Sequence, residues 1–157
     1  MAIFKQLFKV ILLASISASA SAFASNIMLE QGYIRAMPAS VPNTAAYLTL
    51  SNHGAATELV SASTPVAREA MLHTLIEEDG LVKMRHVAAF PLPEHGQLTL
   101  QSSGDHIMIM GLKAPLELGQ KVPMTLSFAS GETLNIELEV KSPNDAPAAQ
   151  EHHHHHH

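Results

Sequence analysis

Apolar residues recur at every second position through much of this chain, a periodicity that restricts it to β-structure. TAAYLTLSN (44–52), LVKMRHVA (81–88), QLTLQ (97–101), HIMIM (106–110), VPMTLSFA (122–129) and LNIELEV (134–140) alternate or are rich in β-type residues. Turn signals separate them, at Asn52-His53-Gly54, Asp79-Gly80, His95-Gly96, Ser102-Ser103-Gly104, Leu118-Gly119 and Ser130-Gly131. With further strands expected near 28–36, 57–63 and 66–77, the pattern predicts an all-β sandwich or barrel of about eight or nine strands. Helical periodicity is weak throughout, and no internal repeat stands out.

The two ends are set apart by composition. Residues 1–24 carry Lys5 and Lys9 ahead of an apolar run and then Ala22 and Ala24 in an A-x-A arrangement, so they are predicted to be a signal peptide cleaved after Ala24. The run is too short for a membrane span, which needs about 20 apolar residues, and no stable membrane insertion is expected. Residues 25–141 form the predicted domain, 142–151 a disordered tail rich in proline and alanine, and His152–His157 an affinity tag. Without the leader lysines, seven basic residues face fourteen acidic ones. Such a chain suits neither nucleic acid nor an anionic membrane surface. It contains no cysteine, which excludes disulfides, thiolate metal sites and thiol redox chemistry. Any soft metal ligand must therefore be a methionine.

Parity sorts the metal-capable side chains. His106, Met108 and Met110 share one face of their strand, while Ile107 and Ile109 share the other, where a core would take them. Residues 66–77 and 81–88 should form a hairpin around EEDG. A Glu78-Asp79 turn sets His73 opposite Met84; an Asp79-Gly80 turn sets it opposite His86, with Met84 one diagonal away. Either register places His73, Met84 and His86 together, and a three-residue turn separates them. Lys83 and Arg85 on the other face predict that Met84 and His86 turn away from open solvent. Two imidazoles with two neutral thioethers suit Cu(I), or Ag(I) as its mimic. Zinc prefers histidine, cysteine and carboxylate, and a blue-copper centre needs a cysteine thiolate.

Plainer roles compete with these. Methionine fills β cores, and Met28, Met37 and Met124 are expected there, with packing also preferred for Met110. His53 and His95 sit beside turn glycines and are expected to be solvated.

Spacing tips the balance. His73, Met84, His106 and Met108 form the pattern H-x10-M-x21-H-x-M, which resembles the signature of the periplasmic copper chaperones of the PCuAC family. RAMPASVPNTAAYLTLSNHG (35–54), with Pro42, Asn43 and Tyr47, and HIMIMGLKAPLELGQKVPMTLSF (106–128) are similar to that family's most recognisable segments. The resemblance implies a cupredoxin-like Greek-key sandwich that binds Cu(I) through His73, Met84, His106 and Met108. It also implies delivery towards the binuclear copper centre of cytochrome c oxidase subunit II, alongside or through a Sco-type thiol protein, and location in the periplasm. Three features depart from the family pattern: Thr74 follows the first histidine, Met71 lies two residues before it, and SSGD replaces a PGG-like loop. His86, Met110 and Met71 are secondary metal candidates, with Cu(II) as a second candidate ion. Two copper-linked alternatives are periplasmic storage or tolerance and a His-ligated zinc or copper hydrolase-like enzyme. A metal-free binding module is the third. A carrier rather than an enzyme is expected.

Overall fold

The computed structural model describes residues 25–146. The predicted leader, residues 147–151 of the tail and the histidine run lie outside the described residues. Ten strands occupy the described chain: β1 (Ile27–Arg35), β2 (Asn43–Asn52), β3 (Thr57–Ser63), β4 (Ala67–Glu78), β5 (Leu81–His86), β6 (Phe90–Leu92), β7 (Gln97–Leu100), β8 (His106–Leu112), β9 (Lys121–Phe128) and β10 (Thr133–Lys141). No helix occurs among the described residues. The all-β expectation holds, with one strand more than the nine read from sequence. The extra strand is β6, only three residues long with Pro91 at its centre, so alternation has no room to show. It pairs with β3 alone, the edge position that a proline lacking an N–H tolerates.

The strands run in the order β5-β4-β8-β2-β1-β10-β9-β3-β6, with β7 paired to β2 beyond the end of β8. All pairs are antiparallel except β1 with β10, which joins the two halves of the wrapped Greek-key sheet. Between the halves lies the core, supplied by one face of each strand: Leu48 and Leu50, Leu72, Ile107 and Ile109, Val122, Met124 and Leu126, Leu138 and Val140. Each such side chain, withdrawn from water, contributes about 1.5–3 kcal/mol.

A register shift between Leu29 and Gln31 changes the parity of β1, so that Ile27 and Ile34 both point inward. Met28, expected in the core, therefore points outward and is 53 % exposed. Met124 is buried as expected, whereas Met37 is only partly covered. Gly32, beyond the bulge, allows close approach: a side chain there would collide with Leu48 and Leu138.

Candidate metal centre

The wing formed by β5, β4, β8 and β2 carries the candidate ligands on its outer face, opposite the core. Ile107 and Ile109 are fully buried on the inner face, so His106, Met108 and Met110 are forced outward. On β4, Leu72 points inward and Met71 and His73 point outward by the same alternation.

The β4–β5 hairpin turns on Asp79-Gly80, both with positive φ (55° and 73°), as a two-residue primed turn requires. Gly80 takes that conformation without strain, and aspartate is among the few other residues that tolerate it. Of the two registers open to the sequence, the turn selects the one that pairs His73 with His86 and Leu75 with Met84. On its other side β4 pairs with β8, matching His73 to His106 and Met71 to Met108.

One row of aromatic rings results, crossing five strands: Tyr33, Tyr47, His106, His73 and His86. Successive centroids lie 5.3, 6.3, 5.8 and 6.1 Å apart. His73 stands edge-on to both neighbouring imidazoles. Nothing in the local sequence marks the two tyrosines as site residues, and only the strand register reveals them. Tyr47 is buried beside His106 and walls off that end of the row. Tyr33 has its pKa raised by burial and by Tyr47, partly offset by Arg35.

His106 is 3 % exposed. Its Nδ1 lies 3.0 Å from the carbonyl oxygen of Gly104, to which it donates when protonated there. The turn over residues 101–105 holds that carbonyl in place through Gly104 N–H to the Gln101 carbonyl and Gln101 N–H to the Asp105 carbonyl. This hydrogen bond selects the tautomer with the lone pair on Nε2, the arrangement by which a backbone carbonyl orients a ligating histidine. That Nε2 is buried and has no hydrogen-bond partner, and the same holds for Nδ1 of His73. An unsatisfied buried polar atom costs about 1–3 kcal/mol, so these two nitrogens are a poor way to fill a sheet face. They are a good way to hold a ligand. Burial first, then His106 and His86, lower the pKa of His73 and favour its neutral, ligating form. On the opposite face Thr74 Oγ1 donates to Asp105 Oδ1 at 2.6 Å, tying β4 to β8 one position beyond the paired histidines.

The four motif residues share this surface, but the structure does not group them equally. His73 and His106 are direct partners, and Met108 is one diagonal from His73. Met84 is one diagonal from His73 on the other side, next to Leu75, and is 57 % exposed. Contrary to expectation, Met84 and His86 are not turned away from solvent: β5 is the outermost strand, and every one of its residues is exposed. Met110, preferred as packing, lies on the outer face between Asn43 and Glu69 and is partly covered. His53 and His95 lie in loops and are exposed, as expected.

The three imidazoles lie in line. At about 4.8 Å per strand spacing, His86 and His106 are separated by roughly 10 Å across the intervening His73. Accordingly, among the described residues no three histidine, cysteine or carboxylate side chains converge on one point. The open three-ligand zinc site of a hydrolase has no counterpart there.

The family model described as "Putative lipoprotein LpqE-like" matches residues 27–140. A curated relative named "Putative lipoprotein Lxx21020", from Leifsonia xyli subsp. xyli (strain CTCB07), is 34% identical over 120 residues, 75% of this chain and 71% of that protein. Among solved structures, DR1885 from Deinococcus radiodurans is similar in two forms. Its apo solution structure is 36% identical, with 90% of this chain and 96% of that chain covered and a TM-score of 0.60. Its CuI form is 39% identical, with 83% and 87% covered and a TM-score of 0.60. The apo PCuAC domain from PmoF1 shares the fold at 22% identity, covering 76% of this chain and 96% of that one, with a TM-score of 0.63.

Proposed function

Since this chain belongs to the LpqE-like family and sets two unpartnered imidazole nitrogens beside thioethers, we propose that it is an exported carrier of Cu(I). The observation that carries this reading is the pair formed by His73 Nδ1 and His106 Nε2, both buried and both without a partner, on strands that also bring Met108 alongside. Neutral nitrogen and sulfur donors match a soft monovalent ion and leave its charge uncompensated, which favours exchange over permanent retention. The Cu(I) form of DR1885, similar over most of both chains, supports the choice of ion.

His73, His106 and Met108 would hold the ion, with Met84 as the motif's fourth ligand, arriving from the exposed hairpin. His86, Met110 and Met71 stand at its margins, and His86 is the ligand through which Cu(II) would engage. Release would proceed by ligand exchange: an incoming thiolate or imidazole displaces an exposed thioether first, because Met84 is the donor solvent reaches most readily. The destination we propose is the binuclear copper centre of cytochrome c oxidase subunit II, directly or with a Sco-type thiol protein, in the periplasm. The linear arrangement of the histidines does not favour the hydrolase-like alternative, and no catalytic role is assigned.

Competition of the tag-free protein against a chromophoric Cu(I) chelator tests the proposal. One tightly held Cu(I) per chain is expected, with Zn(II) unable to displace it. Absence of Cu(I) binding, or preference for zinc, would overturn it.

A further inference from the structure

We infer that Met71 is a copper ligand, occupying the second sulfur position from inside the sheet and alternating there with Met84. The inference rests on the Cu(I) reading above and concerns which thioethers serve it. Its basis is register. His73 pairs with His106 and Met71 pairs with Met108 on the same two neighbouring strands, so the four side chains occupy the corners of one block on one face. Directly opposed residues stand about 4.5–5.5 Å apart and their i, i+2 neighbours on the same strand about 6.7 Å apart, so both thioethers border both imidazoles.

Met84 stands differently. Its partner is Leu75, four residues along β4 from Met71, and β5 is one strand further from β8. Two strand spacings and four residues put the backbones of Met84 and Met108 roughly 16 Å apart. One ion can bind both only if the hairpin curls over the face. Beyond His73 no β8 residue pairs with β4, since β8 begins at His106, so past the side-chain bond of Thr74 to Asp105 the hairpin has no strand partner but its own two strands.

The two thioethers also differ in access. Met71 is partly covered, whereas Met84 is 57 % exposed. Met71 therefore suits the resting shell, and Met84 the shell presented to a donor or acceptor. Exchange between them conserves the donor set, one neutral thioether replacing another, with no proton or electron moved. His73 borders both positions and is retained throughout.

X-ray absorption of Cu(I)-loaded, tag-free proteins tests this by counting sulfur scatterers. Met84→Leu is expected to retain two sulfurs, supplied by Met108 and Met71, and the double variant Met84→Leu/Met71→Leu to lose one. Leucine keeps the volume of methionine on a half-exposed face, and thermal melting of the copper-free variants checks that folding is unchanged. Met71→Gln in the same background gives a second variant with the same readout. No loss of sulfur between Met84→Leu and either double variant would overturn the assignment of Met71. A parent protein without sulfur ligation would instead overturn the Cu(I) reading itself, so the two failures are distinguishable.

Discussion

His106, a ligand in the proposed site, is prepared mostly by its surroundings. Its ring is oriented by one backbone carbonyl, walled by Tyr47 and paired across the sheet with His73. Met108, by contrast, needs only to point outward. Met108→Leu keeps the volume but removes the sulfur, and is expected to weaken Cu(I) binding at least tenfold, about 1.4 kcal/mol, while the thermal midpoint of the copper-free protein stays nearly unchanged. Chelator competition and calorimetry measure the two effects separately. His73 adds a pH dependence. Because the fold lowers its pKa, the unfolded chain binds the proton more readily. The stability this contributes is present above about pH 6.5 and is lost as pH falls through the folded-state pKa. Urea midpoints of the copper-free protein should accordingly fall between pH 7.5 and pH 5, less so in His73→Gln. Equal falls in the two proteins would contradict the role given to His73.

At the scale of the element, β8 divides two kinds of work between its faces. Ile107→Ala is expected to cost about 2–5 kcal/mol of folding stability through the cavity it leaves, yet to spare copper affinity in whatever fraction stays folded. Denaturant unfolding and copper titration of Ile107→Ala and Met108→Leu should give opposite patterns. Alternation alone makes this division legible in HIMIM, and it equally places Met71 and His73 on one face of β4. Parity says which side a residue takes but not which residue it faces. His73 has Met84 and His86 as alternative partners by sequence, and the positive φ of both Asp79 and Gly80 decides for His86. The exposure of β5 escapes the sequence for a related reason. Lys83 and Arg85 do alternate with Met84 and His86, but an edge strand projecting past its neighbours is wet on both faces, and sheet order is not encoded in local pattern. Met28 is solvent-facing rather than buried because a bulge shifts parity without leaving a mark in the alternation. The tyrosine wall is invisible without register, since Tyr47 meets His106, and Tyr33 meets Tyr47, only across paired strands.

Taken whole, the described chain is a sandwich with an ordinary core, and the proposed copper site lies on the outer face of one wing. The core holds the wing's strands in register, and the register sets two imidazoles with unpartnered nitrogens beside thioethers. The exposed hairpin, with Leu81, Val82 and Met84 at 62 %, 69 % and 57 % exposure, lies beside that site. In the proposed carrier reading, it is where an acceptor would meet the ion. The histidine run at the chain's end has to be removed before any metal is counted, because it binds Cu(II) itself. X-ray absorption of the tag-free protein loaded with one equivalent of Cu(I) is the most direct measurement of what the face was built to hold. A shell of two sulfur and two nitrogen scatterers is expected. A shell of nitrogen and oxygen alone would contradict the assignment of this chain as a Cu(I) carrier.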